Sequence, residues 1–219
     1  MGGYAMHRII RSKQDEILVL PYLDFVYGKI FARVDTLGVK TVALGYGDLE
    51  LVGRVSLDGF HTNTAALQGL TTRRPSAPIG LGTLQITPVG AFMINAFHDV
   101  NQSKGNWLEL TYGAEFDLPK VTLYPLVGAE YQSKAYVRYF YGVTAQEAAN
   151  SQYAAYQPDG AFNNFIGLIA DIPLAGEYHL NLNVRRKWLG DAINLSPIVS
   201  QGHLDTSYFA LSYPLQIIP

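Results

Sequence analysis

Four side chains late in the chain, Ser196, Ser200, His203 and Asp205, are of the types that form a hydrolase triad. They fall in one loop and at the start of the extended segment that follows it. Neither serine lies in a Gly-x-Ser-x-Gly turn, and serine and histidine are common in polar loops. A hydrolase that uses these side chains is therefore the weakest of the functional hypotheses that the sequence supports.

The histidines offer little metal chemistry. The chain has 5 His and 0 Cys, and the histidines are scattered without the spacing of zinc ligands. His98 and Asp99 are adjacent, but neighbours in a strand point to opposite faces and cannot orient each other. No glycine-rich phosphate-binding motif occurs. We expect no metal and no cofactor.

A more informative polar set recurs at alternate positions of extended segments. The set contains both acidic and basic side chains. We call the following residues the predicted lumen cluster: Glu109, Glu115, Glu130, Lys134 and Arg138. If these side chains point into a narrow barrel, they pair with each other, because unpaired buried charges are costly. This predicts a plugged, ion-paired interior, and a small polar pore or ligand cavity is the alternative.

Composition indicates which elements position these groups. Of 219 residues, 48% are hydrophobic and 16% are charged, against about 25% charged in a typical soluble domain. The longest apolar run, at 17–23, is too short for a membrane-spanning helix. The net charge is −2, so the composition gives no sign of the basic face that nucleic-acid binding requires. A single transmembrane antiparallel up-and-down β-barrel over 1–219 fits these facts.

Alternation of apolar and polar residues supports this fold class. In 106–118, for example, Leu108 and Leu110 share one face, while Glu109 lies on the other. A soluble barrel has the same alternation, with the apolar face inward. However, these alternating runs are longer than the strands of ordinary soluble proteins and match the length of strands that cross a bilayer. The predicted strands are 3–10, 16–27, 29–44, 49–58, 82–100, 106–118, 121–141, 162–174, 178–189 and 205–217.

These segments give ten strands, or twelve if 29–44 and 82–100 each contain a turn. The phase of alternation changes near Thr36, which favours a bulge or a turn there. With ten strands and both termini in the periplasm, 142–160 and 190–204 lie outside the cell. The ten-strand count places 61–78 on the periplasmic side, where turns are usually short.

Three stretches resemble the MipA/OmpV family of outer-membrane proteins. They are YFYGVTAQEA at 139–148 with YQPDGAF at 156–162, RRKWLGDAINLSPIV at 185–199, and GRVSLDGF at 53–60 with LQGL at 67–70. The resemblance implies an outer-membrane barrel in contact with phospholipid and lipopolysaccharide. It also implies a scaffold that binds a lytic transglycosylase and a penicillin-binding protein. Other members are described as adhesins or porin-like proteins.

From this resemblance we expect a non-enzymatic scaffold, with a small channel or surface adhesin as the alternative. The candidate partner segment is 61–78, with Thr64, Leu67 and Leu70 as contact residues. The family-like loop motif adds a second candidate binding set: Arg185, Asp191, Ser196 and Pro197.

Overall fold

The computed structural model describes residues 2–6, 9–10, 16–20, 24–54, 56, 58–62 and 64–212. These residues form an all-β fold in which helices occur only between strands. The strands are β1 (Gly2–Met6), β2 (Glu16–Leu20), β3 (Asp24–Tyr27), β4 (Ile30–Arg33), β5 (Thr36–Leu44), β6 (Gly47–Arg54), β7 (Pro78–Thr87), β8 (Gly90–Asp99), β9 (Asn106–Gly113), β10 (Phe116–Leu118), β11 (Val121–Gln132), β12 (Ala161–Pro173), β13 (His179–Trp188) and β14 (His203–Ser212).

Every strand pairing is antiparallel, and the sheet order is β2-β1-β14-β13-β12-β11-β9-β8-β7-β6-β5-β4-β3. The first strand pairs with the last, with Gly2 opposite Ala210. The outermost strands, β2 and β3, follow each other in the chain, so the predicted strand 16–27 contributes to both sheet edges. This is the topology of an up-and-down β-barrel.

The described strands agree with the twelve-strand alternative when β2 with β3 and β9 with β10 are each counted as one pass of the chain. Segment 29–44 contains a turn at Val34 and Asp35, which explains the change of phase near Thr36. Segment 82–100 contains a turn at Pro88 and Val89, followed by Gly90 at a φ of 125°. Glycine adopts this angle without the steric cost of a side chain.

One predicted strand is partly wrong. Segment 121–141 is a strand only to Gln132, after which helix α1 (Lys134–Tyr141) begins. The buried residues of α1, Tyr136, Val137 and Phe140, follow helical spacing. Two other short helices, α2 (Ala145–Asn150) and α3 (Asp191–Asn194), and a 3₁₀ turn (Ala65–Leu67) lie in the remaining links. Among the described residues, no helix is long and apolar enough to span a membrane.

The parity of the strands decides which links share an end. Four passes separate 61–78 from 142–160, and two more separate 142–160 from 190–204, so all three lie at one end. We call the end that holds these three links the loop end. The ten-strand count placed 61–78 at the opposite end, and this placement is wrong because 82–100 makes two passes. The opposite, turn end carries the short links 28–29, 45–46, 88–89, 119–120 and 174–178.

The two faces of the sheet are inverted relative to a soluble barrel. Leu110 and Val127 are 47% and 51% exposed on the outer wall. Glu109 and Gln132, which alternate with residues of that wall, are only 3% and 2% exposed. The apolar stripe therefore faces outward and the polar stripe inward, as in a barrel surrounded by lipid.

Candidate functional site

The links of the loop end pack together into a hydrophobic cap. Residues from 60–70, from α1 and from the α3 segment contribute to one cluster. Leu67, Val137, Ile193 and Ile198 have no exposed surface. The buried cluster consists of Ile9, Ile10, Phe60, Leu67, Leu70, Tyr136, Val137, Phe140, Tyr141, Val143, Ala161, Leu189, Ile193, Ile198 and Val199. Links that look like separate loops in sequence thus form one core over one end of the barrel.

A buried ion pair ties two links of the cap together. Arg73 Nη2 lies 2.8 Å from Glu147 Oε1, and the Thr71 backbone N–H donates to the same oxygen at 2.9 Å. Glu147 also closes a capping box with Thr144 at the start of α2. Burial raises the pKa of Glu147, but the backbone N–H groups of Thr144 and Thr71 and the Arg73 guanidinium outweigh it, and the pKa falls to about 2.

Tyr136 connects the cap to the barrel. Its hydroxyl donates to Asp58 Oδ2 at 2.7 Å and lies 3.0 Å from Ser56 Oγ. Burial and the neighbouring Asp58 carboxylate raise the pKa of Tyr136 well above its usual value. The Tyr136 ring also lies 6.2 Å from the ring of Trp107 on β9. The cap is therefore anchored on the strands beneath it.

Ion pairs fill the interior below the cap. Arg33 donates to both oxygens of Glu50 at 2.7 Å. Lys187 lies 2.9 Å from Glu130 Oε1. The charged residues that we call the interior belt are Arg33, Glu50, Arg54, Glu109, Glu130, Arg185 and Lys187.

One pair of this belt connects strands that are not neighbours. Arg54 on β6 lies 3.3 Å from Glu109 on β9, with β7 and β8 between them in the sheet. The Arg54 guanidinium also lies 4.9 Å and 5.0 Å from the ring centres of Phe97 and Trp107. Cation–π contacts of this kind add to the ion pair when water is excluded.

The predicted lumen cluster is only partly brought together. Glu109 and Glu130 lie buried in the interior, whereas Glu115 is exposed in the bend between β9 and β10. Lys134 and Arg138 do not point into the lumen, because α1 turns them outward. Lys134 Nζ pairs with Asp159 at 2.8 Å, and Arg138 Nε donates to the Pro158 carbonyl.

The candidate partner segment is built into the cap. Leu67 is fully buried and Leu70 nearly so, and Thr64 precedes the 3₁₀ turn that holds Leu67. The two leucines therefore contact the cap core and offer no apolar surface to another protein. That they contact a partner protein stays a prediction.

The family-like loop motif divides between interior and cap. Arg185 points into the barrel, Asp191 is exposed in the first turn of α3, and Pro197 is half-buried. Buried Ser196 donates to the Tyr141 carbonyl at 2.6 Å.

The candidate triad does not assemble around either serine. Ser196 donates to a carbonyl as described, and Ser200 donates to the Ile9 carbonyl at 2.9 Å. Asp205 lies 3.8 Å from His203 Nε2 but accepts both shorter bonds of the Arg186 guanidinium. Within the described part of the chain, no group of three His, Asp or Glu side chains could hold a metal ion.

The sequence analysis pointed neither to Arg33 nor to the ion pair of Arg73 and Glu147. The Thr144-x-x-Glu147 spacing is a recognisable capping box, so the start of α2 could have been predicted. Nothing local to Arg33 or Arg73 indicates a partner, because Glu50 and Glu147 are distant in sequence.

Inverted faces, an ion-paired interior and an antiparallel up-and-down sheet define a β-barrel that faces lipid. The family model described as MltA-interacting protein MipA matches residues 1–215. The chain therefore belongs to the MipA family.

Relatives agree with this class. Outer membrane protein Omp26La of Vibrio anguillarum is 28% identical over 93% of this chain and 80% of its own length. Outer membrane protein OmpV of Vibrio cholerae is 28% identical over 63% of this chain and 54% of its own. The MltA-interacting protein of Escherichia coli K12 is 23% identical over 62% of this chain and 55% of its own. No solved structure matches the chain.

Proposed function

We propose that this protein is a non-enzymatic outer-membrane scaffold for enzymes that remodel peptidoglycan. A lytic transglycosylase is the first candidate partner and a penicillin-binding protein the second. One observation carries the proposal: the links of the loop end pack into the apolar cap, and the ion pairs of the interior belt lie beneath it. An interior occupied by ion pairs beneath a packed cap favours an interaction role over a channel.

The partner surface is assigned to the turn end. Short turns of bacterial outer-membrane barrels face the periplasm, and longer loops face outward. Peptidoglycan-remodelling enzymes act in the periplasm, so they can reach the turns but not the cap. Two turn-end side chains are unusually exposed: Tyr46 at 70% and Val89 at 72%. Exposed aromatic and apolar side chains of this kind are typical anchors of a protein interface.

The experiment is capture of a purified lytic transglycosylase by the detergent-solubilised barrel. In the double variant Tyr46→Ser and Val89→Ser, we expect at least tenfold weaker binding, because both anchors lose their apolar contact area. Leu195→Ser is the matched control, since Leu195 is 68% exposed but lies at the loop end. Undiminished binding by the double variant would contradict the assigned surface. Absence of binding by the unchanged protein would contradict the scaffold role.

A further inference from the structure

The outer wall of the barrel has a cleft near its loop end. The cleft has a volume of about 320 Å³ and is lined mainly by residues of β7, β8 and β9. Ala96 on β8 lies in it, with Leu81 opposite on β7 and Leu108 opposite on β9. All three side chains are exposed on the outer wall. Because alanine is much smaller than leucine, Ala96 leaves a recess between two apolar ridges.

The lining of this recess is apolar except at its loop end. Ile79 and Tyr131 add further apolar surface to it. On the loop-end side of Ala96, the next outward residue of β8 is His98, whose Nδ1 lies 2.9 Å from Asn106 Oδ1 of β9. These two polar side chains also line the cleft. An apolar recess with one polar end suits an amphiphile, which has an apolar chain and a polar head.

Two cations lie beyond the polar end of the recess. Arg74 belongs to 74–77, which leads into β7, and Lys104 belongs to 100–105, which joins β8 to β9. We call these two stretches the rim segments. Both cations are exposed, and neither rim segment contains an acidic residue. Because β7 and β9 lie on either side of β8, the cations flank the strand that carries the recess.

Hydrogen bonds hold the two rim segments beside each other. The Ala77 backbone N–H donates to Asn101 Oδ1 at 3.1 Å. The Tyr139 hydroxyl donates to Gln102 Oε1 at 3.0 Å and accepts from the Arg74 backbone N–H at 3.2 Å. The positions of the two cations along the rim are therefore set by the fold.

The carboxylate at the loop end of β8 does not face the recess. Asp99 is 1% exposed and alternates with outward His98, so its side chain points to the interior. Its oxygens accept from the Ser103 hydroxyl and from the backbone N–H groups of 101–103. The outward side of the rim is therefore positively charged.

The location of the recess indicates what occupies it. The outer wall faces lipid, and Tyr131 near the end of β11 is an aromatic residue of the kind that lies at a membrane–water interface. The long links of bacterial outer-membrane barrels face outward, so the recess lies in the outer leaflet. That leaflet consists largely of lipopolysaccharide, whose lipid A has acyl chains attached to phosphorylated sugars.

We propose that this recess holds one acyl chain of lipid A, with a phosphate of the same molecule bound by Arg74 and Lys104. The chain lies in hydrocarbon whether bound or free, so burial from water does not select it. Selectivity comes from packing in the recess and from charge-assisted hydrogen bonds to the phosphate. The site uses the same orientation of the barrel as the scaffold proposal, but it lies at the opposite end from the turn-end surface.

The first test is native mass spectrometry of the refolded full chain in detergent micelles, with purified bisphosphorylated lipid A as the probe. We expect one lipid A to stay bound, and dephosphorylated lipid A to bind at least tenfold more weakly. The double variant Arg74→Gln and Lys104→Gln should weaken binding of the bisphosphorylated form at least tenfold. Lys120→Gln is the matched control, since Lys120 is an exposed cation at the turn end.

A second variant tests the recess independently of charge. Ala96→Leu fills the recess and should weaken binding of both forms of lipid A at least fivefold. Ala170→Leu is the matched control, because Ala170 lies on the outer wall of β12, opposite Leu182 and away from the recess. Both changes add only apolar surface that faces lipid, so both proteins should remain heat-modifiable.

Three results would overturn the proposal. Equal lipid A binding by Ala96→Leu and Ala170→Leu would exclude the recess. Equal binding by the double variant and Lys120→Gln would exclude the phosphate site. Tighter binding of phosphatidylglycerol than of lipid A would exclude lipid A as the occupant. None of these measurements uses a transglycosylase, so the lipid site and the scaffold role fail separately.

Discussion

The loop end and the turn end of this barrel are built on the same strands, yet they are finished in opposite ways. At the loop end, links from three parts of the chain bury a common apolar core and a buried ion pair. At the turn end, short links leave Tyr46 and Val89 exposed and the inward side chains in contact with solvent. One end is therefore packed into an apolar core, while the other leaves side chains exposed. The comparison shows that the length of a loop does not by itself identify a binding surface, because the longest links of this protein pack against one another in the cap.

The comparison would be broken most directly by removing the cap. Replacing 61–78 with a short Gly-Ser turn deletes Leu67 and Leu70 from the cap core together with Arg73, the partner of Glu147. We expect the barrel to stay heat-modifiable but the cap to come apart, because loss of each buried leucine alone costs about 2–5 kcal/mol. Planar-bilayer recordings should show an electrically silent unchanged protein and steady conductance in the variant. Steady conductance of the unchanged protein would refute the sealed loop end.

A change in the interior belt tests the layer beneath the cap. Glu109→Gln removes the carboxylate that lies between Arg54 and Arg185, so both guanidinium groups lose this anionic partner. We expect a destabilisation of about 3–5 kcal/mol, the usual effect of breaking a buried ion pair. The midpoint of urea unfolding in detergent measures it.

Glu115→Gln, at the exposed turn end, is the matched control. It should change stability by less than about 0.5 kcal/mol, as surface substitutions commonly do. Equal effects of the two glutamate changes would contradict the difference in burial between interior and turn end.

The smallest expected effect is a pH dependence confined to the cap. The pKa of Glu147 is about 2 in the folded cap, against an ordinary value of 4.5. Because the folded pKa is depressed, its stabilisation is complete above pH 4.5 and is lost progressively as the pH falls toward 2. Near-ultraviolet circular dichroism of the cap tyrosines should report this loosening in acid.

Two variants sharpen that measurement. Glu147→Gln should weaken the cap at neutral pH and remove most of the change between pH 4.5 and 2. Asp159→Asn, which removes only an exposed partner of Lys134, should leave the acid transition in place. An unaltered transition in Glu147→Gln would show that another group is responsible.

Much of the fold could be predicted because alternation is a local property. That Leu110 and Glu109 lie on opposite faces of the sheet follows from a period of two, whichever strands lie beside them. The turn at Pro88 to Gly90 also had a local signal in its proline and glycine. The helical spacing of Tyr136, Val137 and Phe140 was masked by an alternation of aromatic residues that also fits a strand.

The candidate sites were less predictable because their partners are distant along the chain. The pairing of Arg54 with Glu109 depends on which strands are neighbours, and the burial of Leu67 depends on α1 and α3 folding over it. Neither dependence leaves a trace near the residues themselves. Only the capping box around Glu147 had a local signature.

By itself, the sequence determined which side of each strand is apolar, since a period of two needs no knowledge of the neighbouring strands, and the length of the alternating runs favoured a lipid-facing barrel over a soluble one. Only the tertiary structure decided that 61–78 lies with the other long links and that they pack into a cap. The physical reason is parity: one additional turn within a long strand moves every later link to the opposite end of the barrel.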